Sequence, residues 1–233
     1  MKRLVILTGA GMSAESGIRT FRESGGLWEE YDVTEVATPM AWWKNRDLVL
    51  RFYNERRNQL AKCKPNAGHL GLAALEKYFD VQIITQNVDN LHERAGNTKI
   101  LHLHGELTKA RSTIDPSLIY DISYKEIKPG DNCEKGSQLR PHIVWFGEAV
   151  PMMDEAVRIT AEADIFAVVG SSLNVYPAAG LIGYAPPEAS LWLIDPNDVY
   201  VPLNRKIEVI KEKASEGIAI LTQRLLSIYG IKE

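Results

Sequence analysis

The chain has 233 residues, with 27 Lys and Arg against 30 Asp and Glu, a formal charge of −3 and 45% hydrophobic residues. That composition excludes a disordered polypeptide, and the near balance of charge gives no electrostatic footprint for nucleic acid or an anionic membrane. Two cysteines, Cys63 and Cys133, build neither a disulfide framework nor by themselves a four-thiolate zinc site.

In chain order, Leu4–Leu7 follows two basic residues but is shorter than a secretory apolar segment, so Arg3–Leu7 reads as a buried first strand. No stretch approaches the ~18 apolar residues of a membrane helix, and cytoplasmic residence is the expectation. Further short apolar runs at Val81–Thr85, Ile165–Val169 and Leu191–Ile194 read as strands, and the apolar spacing predicts helices over Gly68–Tyr78, Asp154–Glu162 and Gly217–Tyr229. Strand, turn and helix in repetition predict an α/β fold, a parallel sheet with helices on both faces. Ligands bind beyond the carboxyl ends of such strands, so Thr8–Gly11, Thr85–Asn90 and Gly170–Asn174 should meet in one crevice. Residues 31–67, with Trp42, Trp43, Phe52 and Tyr53 in a helical pattern, and the polar residues 108–146 break the alternation. Both read as insertions that together form a small second module.

Gly9-Ala10-Gly11-Met12-Ser13-Ala14 directly follows the first strand and fits G-x-G-x-x-G/A. The pattern suits a tight turn, close backbone approach to a pyrophosphate and a helix N-terminus aimed at negative charge, and equally a plain strand–helix turn. A dehydrogenase needs a second strand about 20 residues on, presenting a carboxylate to the ribose. Here Gly17–Trp28 reads as a loop, which removes support for hydride transfer and leaves a segment able to close over a ligand. Gln86-Asn87-Val88-Asp89-Asn90 clusters polar side chains at a strand end, suited to a carboxamide or to a helix cap. His102 and His104 alternate onto one face of an extended segment; His104, before Gly105, is a candidate general base, while H-x-H with Glu106 offers too few ligands for a metal site.

Gly9–Arg22, Thr85–Gly96, Leu103–Leu107, Val144–Glu148, Gly170–Ser172 and Val175–Ala179 resemble, in order, the signature blocks of sirtuins. The resemblance implies an NAD-dependent protein-lysine deacylase that consumes NAD and releases nicotinamide and O-acyl-ADP-ribose. It implies a Rossmann-like domain from 1–30, 68–107 and 147–233, with a small module from 31–67 and 108–146. On the matching positions it implies His104 as general base, with Asn87 and Asp89 serving the ribose and nicotinamide pocket. Gly9, Ala10, Gly11, Ser13, Phe21, Arg22, Gln86, Gly170, Ser171, Ser172, Asp195 and Ser215 are the implied cofactor contacts. Phe146, Gly147, Glu148 and Val175 would flank an extended acyl-lysine peptide by strand addition. Protein ADP-ribosyl transfer and a non-catalytic NAD-binding module are the competing readings.

Three departures from the usual sirtuin pattern carry information. Thr20 replaces the Asp before the Phe-Arg pair, as in desuccinylase-type members, and Asp195-Pro196-Asn197-Asp198 alters the late ribose motif. Tyr53 and Arg56 are i, i+3 neighbours on one predicted helix face and resemble the acidic-acyl pocket of that type, which implies activity on succinyl-, malonyl- and glutaryl-lysine; by composition alone the same helix reads as a solvated face with Tyr53 in the core. Of the two Cys pairs usual in the second insertion only Cys133 remains, so a zinc-free module is expected.

Overall fold

The computed structural model describes residues 1–19, 30–201 and 205–232. β1 (Arg3–Thr8) is an unbroken apolar run, and its last five residues are buried. Such a strand needs cover on both faces, and it sits inside a six-stranded parallel sheet. β2 (Asp80–Thr85) and β3 (Ile100–His102) lie on one side of it. β7 (Ile165–Val169), β8 (Ser190–Ile194) and β9 (Ile207–Ile210) lie on the other. The order β3-β2-β1-β7-β8-β9 reverses direction at β1 and β7, which places the topological switch point between them.

Two apolar layers cover the sheet. On one face, Leu72 and Leu75 of α5 (Ala67–Leu75) and Ile218, Leu221 and Leu225 of α8 (Ala214–Ile228) pack on Leu4, Ile6 and Ile83. On the other, Ala156 of α7 (Met153–Thr160) and Leu181 and Ile182 of a 3₁₀ turn (Ala178–Tyr184) pack on Val5, Leu7 and Val168. α5 starts where it does because the Asn66 side chain accepts from Gly68 and His69 N–H, while His69 Nδ1 accepts the Asn66 N–H.

The helical insertion forms α2 (Val33–Val36), α3 (Pro39–Lys44) and α4 (Arg46–Lys62), each begun by a side-chain cap from Asp32, Thr38 or Asn45. The polar insertion is a three-stranded antiparallel sheet, β5-β4-β6, from β4 (Gly105–Ser112), β5 (Ile119–Asp121) and β6 (Leu139–Ile143). β4 begins at Gly105, inside the stretch assigned from sequence to the large domain. Trp42, Val49, Phe52, Tyr53, Leu107, Ala110 and Trp145 share one core between helices and sheet. Arg57, fully buried, crosses that core, donating Nε to Leu107 O at 2.6 Å and Nη1 to Asn54 Oδ1 at 2.7 Å. Among the described residues no helix is long and apolar enough to cross a membrane.

Candidate active site

The three strand-end loops meet as expected. Gly9 N–H donates to Val169 O at 3.0 Å and Gly11 N–H to Gly170 O at 2.9 Å, which ties the glycine turn across the switch point. Gly170 takes φ +60, and a Cβ there would lie 2.3 Å from Met12 N, so glycine is required. Backbone thus approaches backbone and leaves a cradle open in front of α1 (Ala10–Ala14). The cavity, about 390 Å³, is bordered at this end by Gly9, Ala10, Gly11, Gln86, Asn87, His104, Gly170, Ser171, Ser172 and Asp195.

Beneath the turn runs a buried polar network. Asn87 Nδ2 donates to Gly9 O at 2.9 Å and to Ser13 Oγ at 3.1 Å, and Ser13 Oγ donates to Asp89 Oδ2 at 2.9 Å. Asp89 Oδ1 also accepts the Leu91 N–H at 3.1 Å, so the capping reading of this residue and its place in the network hold together. Gln86 Nε2 donates to Ser171 Oγ at 3.0 Å, joining the second loop to the third. Asp195 borders the cavity and accepts the Asn197 N–H at 2.9 Å. Ser215 stands apart at the start of α8, where its N–H donates to Glu15 Oε2 at 2.9 Å, and it does not border the cavity. Phe21 and Arg22 lie outside the described residues.

Sequence reasoning missed two histidines behind this network. His69 Nδ1 is the acceptor for Asn66 N–H, so Nε2 carries the proton and faces Ser13 Oγ at 3.5 Å; burial pushes its pKa down to about 3. His92 is held neutral mainly by burial, with Nε2 3.2 Å from Thr8 Oγ1. The capping spacing Asn66-x-x-His69 was the available signal for the first.

His102 and His104 make parallel contacts and end in opposite states. His104 Nδ1 donates to Gln86 O at 3.1 Å and His102 Nδ1 to Asn87 O at 3.2 Å. A carbonyl only accepts, so both Nδ1 atoms carry protons. Burial lowers the His104 pKa, partly opposed by the Gln86 carbonyl, leaving Nε2 with its lone pair in the cavity. Burial is the strongest single influence on His102 too, but the hydrogen bond at 2.7 Å and charge attraction to Glu93, with help from Glu106 and the Asn87 carbonyl, together outweigh it and raise the pKa. Glu93, His102 and Glu106 bring potential ligand atoms within 4.8 Å, yet Glu93 is engaged by His102 and Glu106 by Lys109 at 2.6 Å.

Tyr53 and Arg56 of α4 border the same cavity and are 4% and 7% exposed, and Arg56 also shares a smaller pocket with Ala10, Ser13, Asn87 and Asp89. Burial raises Tyr53 to about 12 and lowers Arg56 to about 10, so at neutral pH they remain a phenol and a guanidinium cation. Phe146, Gly147 and Val175 line the rim, with Phe146 N–H donating to Ala37 O at 3.0 Å. Glu148 also borders the cavity, but its carboxylate is turned into the protein. It accepts from Arg140 Nη1 at 2.7 Å, from Arg111 Nη2 at 3.3 Å and from Trp145 N–H at 2.8 Å. Burial works against that charge as the largest single cause, and the Arg140 and Trp145 hydrogen bonds with the attraction of Arg140 and Arg111 together overcome it and lower the pKa.

Residues 9–177 match the model of the Sir2 family. A Bacteroides thetaiotaomicron protein named NAD-dependent protein deacylase is 57% identical over 97% of this chain and 99% of its own length. The chain belongs to the Sir2 family. A solved Sir2 homologue in complex with ADP-ribose superposes with TM-score 0.90 at 38% identity, covering 100% of this chain and 95% of the other. A Sir2 homolog–NAD complex superposes with TM-score 0.86 at 39% identity, covering 97% and 90%.

The polar insertion of this sirtuin offers a poor donor set for the structural zinc that the family pattern would imply. Cys133 donates Sγ to Ser112 Oγ at 3.3 Å. Thr113 hydrogen-bonds Ser137 Oγ and donates to Gln138 O at 2.9 Å. Cys63 ends α4, donating to Gln59 O at 3.4 Å, and Arg94 of α6 (Leu91–Ala95) takes the carbonyls of Leu60 and Cys63. Cys133 is the one cysteine of the insertion and its thiol is bonded to a hydroxyl, a donor set that does not fit a tetrahedral zinc site.

Proposed function

We infer that this sirtuin is an NAD-dependent protein-lysine deacylase that removes succinyl and malonyl as well as acetyl groups. The carrying observation is His104: Nδ1 is committed to the Gln86 carbonyl, and a neutral Nε2 is presented to the cavity that the glycine turn opens. Gly9, Gly11 and Gly170 pack backbone on backbone where any Cβ would collide, which shapes a turn bordering the cavity at the start of α1 that suits a pyrophosphate. When bound, NAD supplies an anomeric carbon open to attack by the acyl oxygen as nicotinamide leaves, and it is consumed. His104 Nε2 takes the proton of a ribose hydroxyl so that this oxygen can reach the acyl carbon. Asn87, held through both amide protons, offers its remaining oxygen to the ribose and nicotinamide side, and Asp89 fixes Ser13 beneath the phosphates. Ala10, Gly11, Gln86, Ser171, Ser172 and Asp195 complete the cofactor end.

The acidic-acyl reading rests on Tyr53 and Arg56, a phenol and a cation walled into the apolar end of the cavity. A buried guanidinium favours a carboxylate-tipped acyl chain over a methyl group. Phe146, Gly147 and Val175 form the rim along which an acyl-lysine peptide would lie. A metal-free small module is supported by the bond of the Cys133 thiol to a hydroxyl, and metal analysis showing one tight equivalent of zinc would overturn it. Cytoplasmic residence is supported by two free, buried thiols.

The test is mass spectrometry of products from NAD and a succinyl-lysine peptide, parent against His104→Ala. Free lysine peptide, nicotinamide and O-succinyl-ADP-ribose are expected from the parent only; ADP-ribosylated peptide in their place rejects the reading. Arg56→Met should cut succinyl kcat/KM far more than acetyl kcat/KM, and equal loss on both rejects acidic-acyl recognition.

A further inference from the structure

Tyr53 does not stand alone at the acyl end. Its hydroxyl oxygen accepts the Trp145 Nε1–H at 3.1 Å. A phenol has one proton to give, and the indole N–H and the Arg56 guanidinium, both acting on Tyr53, are donors only. Neither can take that proton, which stays available to an acceptor entering the cavity that Tyr53 borders. The carboxylate of a succinyl or malonyl chain is such an acceptor, and the methyl of an acetyl group is not.

The indole that imposes this is itself fixed. Trp145 is 2% exposed, and its backbone N–H is held on Glu148 Oε2 at 2.8 Å. The Arg140 guanidinium lies 3.3 Å from the ring centroid, and the Trp42 ring packs at 5.7 Å. A cation over the ring polarises the indole N–H, and donation into the phenol oxygen in turn strengthens the O–H as a donor. Glu148 holds both Arg140 and the Trp145 backbone, which explains why it faces inward and not toward a peptide.

We propose that Trp145 is a specificity-determining positioning residue, whose indole N–H orients the Tyr53 hydroxyl to donate to the carboxylate of acidic acyl-lysine substrates. The inference rests on the acidic-acyl reading of Tyr53 and Arg56. It concerns preference among acyl groups and leaves the chemistry at His104 untouched.

The experiment is a double-mutant cycle on the ratio of succinyl to acetyl kcat/KM, with KM and kcat separated. Trp145→Phe keeps an aromatic ring beneath Arg140 and removes the N–H donor, together with part of the buried ring volume. It should lower the ratio about fivefold to tenfold, mainly through succinyl KM. In the Tyr53→Phe background, the same change should move the ratio less than twofold. A purely structural role would lower both substrates alike in either background, and that result overturns the proposal. If Tyr53→Phe and Arg56→Met leave the ratio unchanged, the acidic-acyl reading falls and this inference with it. If they collapse the ratio and Trp145→Phe does not, only the role of Trp145 is rejected. Should Trp145→Phe not fold, the parent protein decides. The Trp145 indole N–H resonance should shift on adding succinyl-lysine peptide and not acetyl-lysine peptide, and equal shifts with both overturn the proposal.

Discussion

The two ends of the cavity are built by different physics. At the cofactor end, backbone meets backbone through Gly9, Gly11 and Gly170, and the side chains beneath are mostly neutral amides, hydroxyls and imidazoles. At the acyl end, aromatic rings are braced by guanidinium–carboxylate pairs, Arg140 and Arg111 on Glu148 and Arg140 over Trp145. The first arrangement holds its buried carboxylate, Asp89, on neutral donors, the Ser13 hydroxyl and the Leu91 N–H. The second pairs guanidiniums with a carboxylate and also sets the Arg56 guanidinium on the cavity wall. Substitutions at the cofactor end should therefore cost turnover, and those at the acyl end stability and selectivity.

The largest break in that contrast is His104→Ala. Removing a general base is worth about 10²–10⁴ in rate. The lost contact is a single hydrogen bond to the Gln86 carbonyl, so the melting temperature should stay close to the parent. Nicotinamide release driven by acyl-peptide, measured beside a thermal scan, checks both halves. A large fall in melting temperature would mean that His104 holds the loop together rather than serving the chemistry.

Glu148→Gln attacks the other end. It leaves the Arg140 and Arg111 guanidiniums, whose side chains are 10% and 13% exposed, facing each other without their carboxylate. A cost of about 2 kcal/mol is expected, below the full price of breaking a wholly buried pair. Urea unfolding measures it. Because the folded Glu148 pKa is depressed, its contribution is present above the ordinary carboxylate range and lost as pH falls through the folded value. At low pH the variant and the parent should therefore converge.

What the sequence made legible follows the same divide. Gly9-x-Gly11, Gln86-Asn87 and His104-Gly105 are local patterns at strand ends, and each strand was an apolar run that chain order could place. The acyl-end network joins residues far apart in the chain, Tyr53 to Trp145 and Arg111 to Glu148, and no spacing rule couples them. The antiparallel sheet of the small module was hidden for a related reason. Its pairing shifts register between Glu106 and Ala110, and β5 is mostly exposed, so alternation is blurred. β9 was missed because it is a four-residue edge strand with little buried surface. Ser215 entered only through family resemblance, and its place at the α8 N-terminus shows how a short match can fall beside a cavity without reaching it.

Acid sharpens the comparison further. His69, at about 3, and His92 and His104, also lowered, all lie at the cofactor end. Each has a folded pKa below its unfolded value of about 6.5, so below that pH the unfolded chain takes up protons that the folded chain refuses. Stability should fall as pH drops from 6.5, by about 1.4 kcal/mol per pH unit for each proton involved. His102 works in reverse: its raised pKa stabilises the fold below 6.5, and that contribution is lost as pH rises through the folded value. His69→Asn should remove one proton from the acid slope in urea titrations between pH 4 and 6.5. An unchanged slope would mean that His69 is protonated in the folded protein.

The smallest effect is expected at Cys133, where the sirtuin pattern would imply a metal ligand. Cys133 is 6% exposed and donates to Ser112 Oγ at 3.3 Å, beside the Thr113–Ser137 hydroxyl pair. A hydroxyl in place of the thiol keeps a donor and an acceptor in nearly the same position, so Cys133→Ser should change stability by no more than about 0.5 kcal/mol. A zinc ligand behaves differently: its loss removes binding free energy that is also folding free energy, and chelators then mimic the mutation. Thermal scans of parent and Cys133→Ser, each with and without a strong chelator, separate the cases. Four coincident melting curves are expected. A parent curve that falls with chelator and a variant curve that does not would make Cys133 a metal ligand, and would mean that the module is stapled rather than packed. Coincidence assigns the module's stability to packing and hydrogen bonds, among them the Arg57 crossing, the Glu148 cluster and the shared aromatic core.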